Sequence, residues 1–137
     1  MSADAGQDPT DDAGAAAAIA LAHALFDAAR AGDSAMLARY RDAGVPFTLT
    51  NTAGDSLLML AAYNGHPAIV RDLLARGAEA DQVNDRGQTP LAGAVFKGHD
   101  DVVRLLVGAG ADADAGTPSA RAAAEMFGRT ELLGLLG

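Results

Sequence analysis

The chain repeats itself every 33 residues. Laying residues 50–82 over residues 83–115 gives 13 identical positions. Asn51/Asn84, Gly54/Gly87, Leu58/Leu91, Gly65/Gly98, His66/His99, Leu73/Leu106 and Gly77/Gly110 are among them. Ser56/Thr89, Tyr63/Phe96 and Ile69/Val102 are conservative pairs. A fixed period with glycines in register marks stacked units, each burying its apolar face against its neighbours. Such a chain presents an extended surface instead of enclosing one thick core.

Within residues 84–116 the signals follow a clear order. Asn84, Asp85, Arg86 and Gly87 make a turn. Thr89 suits a helix N-cap and Pro90 the first helical position, where a missing N–H costs nothing. The apolar run 91–96 ends at Lys97 and Gly98, with Gly98 expected at positive φ. His99, Asp100 and Asp101 open a second helix, and its early acids suit the positive end of the helix dipole. Val102, Val103, Leu105 and Leu106 recur at helical spacing, and Gly108 and Gly110 close the unit.

This order of turn, helix, glycine turn, helix and glycine exit resembles the ankyrin repeat. Gln88-Thr89-Pro90-Leu91-Ala92 is similar to that family's T-P-L-H segment, Lys97-Gly98-His99 to its G-H turn, and Gly110-Ala111-Asp112 to its G-A-D exit. The resemblance spans about residues 20 to 137. It implies an all-α solenoid of stacked helix-turn-helix units joined by β-turn or hairpin loops. Residues 50–82 and 83–115 are the full repeats. Residues 15–49 form an N-terminal cap repeat, in which Gly32 matches Gly65. Residues 116–137 form a shortened C-terminal cap, in which Gly128 matches Gly98 but lies 30 residues after it. There, Gly116, Thr117 and Pro118 are the expected turn and helix start. Two departures from the family should weaken the repeats locally: its T-P-L-H histidine is Met59 or Ala92, and Leu57 replaces the helix-starting proline.

Residues 1–14 carry Asp4, Asp8, Asp11 and Asp12 with no base, half of the chain's net charge of −8. They read as a disordered acidic tail, dispensable for folding. Residues 15–22 then add about two helical turns before the expected repeat start, with no functional account from sequence. The uncharged stretch 13–26 is too short for a membrane span and has no basic flank for a signal peptide. Absent cysteine, disulfides and thiolate metal sites are excluded, and a cytoplasmic location is expected. The acidic balance argues against nucleic acid or an anionic membrane as partner. Alanine, glycine and arginine richness with a single lysine fits a GC-rich bacterial genome.

No catalytic constellation is present, so no enzyme, cofactor or metal is expected. His66 and His99 share one repeat position after the turn glycine, where the resemblance implies a structural role. Gly32, Gly65, Gly98 and Gly128 are structural on the same reading. Asp112-x-Asp114 lacks the later glycine and glutamate of a calcium loop and belongs to the repeat exit.

What remains is surface. The resemblance places a partner-binding groove between the hairpin tips and the exposed ends of the first helices. The tip residues are Thr52 and Asp55, then Asp85, Arg86 and Gln88. The helix-end residues are Arg30, Tyr63 with Asn64, Phe96 with Lys97, and Met126 with Phe127. Read across the stack, Arg30, Tyr63, Phe96 and Met126 form a row holding aromatics and an arginine, the residue types that dominate interface energies. Packing of the two aromatics between repeats is the alternative. The expected function is a non-catalytic protein-interaction module, monomeric, binding an unidentified protein. A dedicated inhibitor, chaperone or regulator of one enzyme is the alternative, and a self-assembling repeat or an unrecognised enzyme ranks lower.

Overall fold

The computed structural model describes residues 9–137, with side chains from residue 14 onward. Residues 1–8 of the expected acidic tail lie outside the described residues. Among the described residues eight helices form four antiparallel pairs: α1 (Pro9–Ala31) with α2 (Ser34–Asp42), α3 (Leu57–Tyr63) with α4 (Pro67–Ala75), α5 (Pro90–Lys97) with α6 (Asp100–Gly108), and α7 (Ala120–Met126) with α8 (Thr130–Leu136). The first helices stack in the order α1, α3, α5, α7, and the second helices α4, α6, α8 form a parallel layer behind them. Among the described residues the only strand-like pairing outside the helices is one isolated antiparallel bridge, Thr50 to Ser56.

Each full repeat is built by local chemistry. The Asn51 side-chain oxygen accepts from the backbone N–H groups of Ala53 and Asp55, both at 2.9 Å. Asn84 does the same for Arg86 and Gln88 at 3.0 Å. Each asparagine thereby closes its own hairpin tip. Ser56 Oγ and Thr89 Oγ1 then accept from the N–H groups of Met59 and Ala92, at 3.0 and 3.1 Å. Such caps contribute about 1 kcal/mol each. They form without the family's usual histidine, and Met59 fills that space as a buried side chain.

The first helices of the two full repeats, α3 and α5, are short and almost wholly buried, because each touches a first helix on either side. Leu57, Leu58, Ala61 and Ala62 of α3 and Leu91, Ala94 and Val95 of α5 form the interior. The alanines let adjacent helices approach closely. The second helices bury one stripe each, Ile69, Val70 and Leu73 in α4 and Val102, Val103 and Leu106 in α6. That stripe leaves the opposite face to water, as period 3.6 requires.

Two local expectations differ from the structure. Helix α1 begins at Pro9, so residues 9–14, assigned from sequence to the disordered tail, are helical. Proline at the first helical position and the alanine run that follows both favour helix there. Helix α7 starts at Ala120, two residues later than Pro118. Ser119 sets that start, since its side chain accepts from Ala122 N at 3.1 Å and occupies the cap position that Ser56 and Thr89 hold in the full repeats.

Candidate functional site

The inner side of the stack is built from hairpin tips and first-helix ends. Hydrogen bonds tie the tips to one another. Asp85 N donates to Ala53 O at 3.0 Å, Thr117 N to Gly87 O at 2.9 Å, and Asn84 Nδ2 to Asp55 Oδ1 at 2.8 Å. The tips therefore form one continuous ridge.

Between ridge and helix ends lies a cavity of about 310 Å³ lined by Arg30, Asp55, Met59, Leu60, Tyr63, Asn64, Arg86 and Gln88. Six of the residues expected from the repeat comparison thus meet in one place. Met59 and Leu60 were missed, although their position on the first helix is readable from the period. The cavity's polar groups differ in availability. Asp55 is held by the amides of Asn51 and Asn84, so its carboxylate belongs to the ridge. Arg30 pairs with Asp27 at 2.9 Å. Arg86 makes no ion pair among the described residues and is exposed.

Beyond the cavity the surface turns apolar. Phe96 is 56 % exposed, Met126 69 % and Phe127 48 %. The Phe96 and Phe127 rings meet edge to face with centroids 5.4 Å apart, a geometry favoured by the aromatic quadrupole. Tyr63 is only half-buried, and Lys97 Nζ lies 5.2 Å from its ring centroid. Lys97 thus joins the polar cavity to the apolar ridge through a cation–π contact. Thr52 lies apart, in a second cavity beside α1. Asp85 is exposed at the tip of its hairpin.

His66 and His99 are engaged by backbone carbonyls. His66 Nε2 is hydrogen-bonded to Arg30 O at 2.7 Å, and His99 Nε2 to Tyr63 O at 3.1 Å. Each ring therefore satisfies a carbonyl at the C-terminal end of the preceding repeat's first helix. Gly32, Gly65, Gly98 and Gly128 adopt φ of +80°, +75°, +78° and +65°. Among the described residues no group of three or more His, Asp or Glu is placed to hold a metal ion. None of the described helices is long and apolar enough to cross a membrane.

Four stacked helix pairs joined by hydrogen-bonded tips define a repeat protein with a continuous inner surface. The family pattern of ankyrin repeats, in three copies, matches residues 25–117. The chain belongs to the ankyrin repeat family. It is similar to an ankyrin repeat protein of Pseudomonas aeruginosa, with 53 % identity over 49 residues. That match covers 36 % of this chain and 29 % of the relative. Ankyrin repeats are in general protein–protein interaction modules, and the family is typically non-catalytic.

Proposed function

We propose that this chain is a non-catalytic interaction module that binds a partner protein along its inner surface. The observation that carries the reading is the solvent-facing Phe96–Phe127 pair beside Met126, on a chain with few aromatic residues. Three large apolar side chains grouped in water are a recognition surface more than a packing accident. The adjoining cations Arg86 and Lys97 give a partner's acidic groups a place to bind at the margin, where charge sets orientation and association rate. The partner contributes one or two apolar side chains to the ridge and an acidic group to the cavity.

Affinity purification from the native cell followed by mass spectrometry identifies the partner. The test is then its affinity for Phe96→Ala compared with Asp112→Ala, which lies in the repeat exit. Equal loss in both, or none in either, moves the binding surface elsewhere.

A further inference from the structure

The exit of the first repeat carries an aromatic residue that the later exits lack. Counting 33 residues on from Val45, Pro46 and Phe47 leads to Ala78, Glu79 and Ala80, and the same step again to Ala111, Asp112 and Ala113. A phenylalanine thus stands where both later exits have alanine. It does not close the seam between the first two repeats. Phe47 is only half-buried, and cavities of about 200 and 380 Å³ open beside it, sharing Phe47, Leu73 and Ala78 as walls.

Arg76 separates the two cavities in character. Its guanidinium lies over the Phe47 ring, 5.2 Å from the centroid, and it lines the smaller one. The larger cavity is lined by Glu79 and Gln82 and not by Arg76. Leu58 and Leu73, both almost wholly buried, give it an apolar floor. Glu79 is exposed and makes no ion pair among the described residues. Arg76 does not neutralise it, since that side chain pairs with Asp72 at 3.2 Å. An aromatic ring, an apolar floor and an unpaired carboxylate therefore meet around one space.

Ring and carboxylate both attract positive charge, and Arg76 already uses the ring in that way. The chain's net charge of −8 draws cations and repels anions at longer range. A volume of about 380 Å³ falls within the usual span for small-ligand sites. We propose that this cavity binds a small organic cation, a protonated amine whose apolar body rests on Leu58, Leu73 and Phe47 and whose ammonium meets Glu79. The site is independent of the inner surface, because none of the residues assigned to the partner protein lines it.

Titration of phenethylammonium into the isotope-labelled full chain, followed by amide chemical shifts, tests it. The expected result is saturable shifts at Phe47, Leu73 and residues 77–82, with a Kd of about 1 mM or below. Hydrocinnamate, of similar shape and opposite charge, should leave them unmoved. Glu79→Gln should weaken binding about fivefold or more with the fold intact, since Glu79 is exposed. Asp112→Asn makes the same charge change at the next exit, where no aromatic stands, and should leave the affinity as it was. Phe47→Leu keeps an apolar wall but loses the ring, and should cost about fivefold. No saturable shift up to about 10 mM overturns the proposal. So do equal responses to phenethylammonium and hydrocinnamate, or an affinity indifferent to Glu79→Gln. Tighter binding of N-acetyl-lysine amide than of phenethylammonium also overturns it, by assigning the cavity to a partner's lysine instead of a free amine.

Discussion

The imidazole of His99 lies against the bare α-carbon of Gly65, so close that a Cβ there would stand 2.6 Å from the ring's Nδ1. His66 stands over Gly32 in the same way, also at 2.6 Å. The seam thus needs glycine twice over, for its positive φ and for the space its neighbour's ring occupies. Gly98 differs. The residue after its counterpart Gly128 is Arg129, and the nearest atom to a Cβ at 98 is Arg129 Nη1 at 3.5 Å.

Gly65→Ala should therefore destabilise the fold more than Gly98→Ala. The backbone cost is common to both, about 1–2 kcal/mol. Displacing His99 adds about 1 kcal/mol or more at position 65, in the range of other overpacked sites. Urea denaturation of the two variants measures the difference, and equal midpoints would sink the account.

Phe96→Ala should weaken partner binding about thirtyfold, corresponding to about 2 kcal/mol for a central anchor. Circular dichroism should change little, because the ring is more than half exposed. Lys97→Ala, at the margin, should cost under about 1 kcal/mol and do so less at high salt. Titration calorimetry with the identified partner separates the two.

The last repeat is clamped by Arg129, which stands where the full repeats have histidine. Its Nη2 is 2.6 Å from Asp100 Oδ1 on α6, and its Nε is 3.0 Å from Glu131 Oε1 on α8. A double-mutant cycle of Arg129→Ala with Asp100→Ala should give a coupling of about 0.5–1 kcal/mol, the range for a partly exposed pair. Hydrogen exchange in Arg129→Ala should quicken in α7 and α8 before the inner repeats. Uniform loss of protection would contradict a local clamp.

Glu131 should make α8 acid-sensitive. Its carboxylate is held below the usual carboxylate value by its own backbone N–H and by Arg129. A group whose folded pKa is depressed stabilises the fold at neutral pH. That contribution is lost as pH falls from the unfolded value near 4.5 through the lower folded one. Melting followed between pH 7 and 3 should show a shallower acid loss for Glu131→Gln than for the parent chain. Identical slopes would remove the assignment.

The architecture was legible because the same chemistry recurs at one period. Asn51 and Asn84, Ser56 and Thr89, and Gly65 and Gly98 each do in space what their alignment implied. Less was legible where one repeat's state depends on the next one's contents. Tyr63 and Phe96 are equivalent in sequence, yet Tyr63 is half covered beneath Lys97 while Phe96 stands beside the shortened last repeat and stays exposed. The helical start at Pro9 was missed because acidic residues weighed against order, whereas alanine propensity favours helix once a stack anchors one end. At the C-terminal cap, Pro118 drew attention from Ser119, although the 30-residue spacing from Thr89 already marked the serine.

The His–Gly seam also bears on how such a chain lengthens. Each full repeat offers a glycine to the unit that follows and a histidine to the unit before, so a tandem duplication of residues 50–82 would recreate only contacts already present. The outer repeats are not interchangeable in this way, because Asp33 follows Gly32 and Arg129 follows Gly128. Neither could replace a middle repeat without changing the seam it makes with the unit before it. Related chains can therefore differ in the number of middle repeats while keeping the same two outer ones.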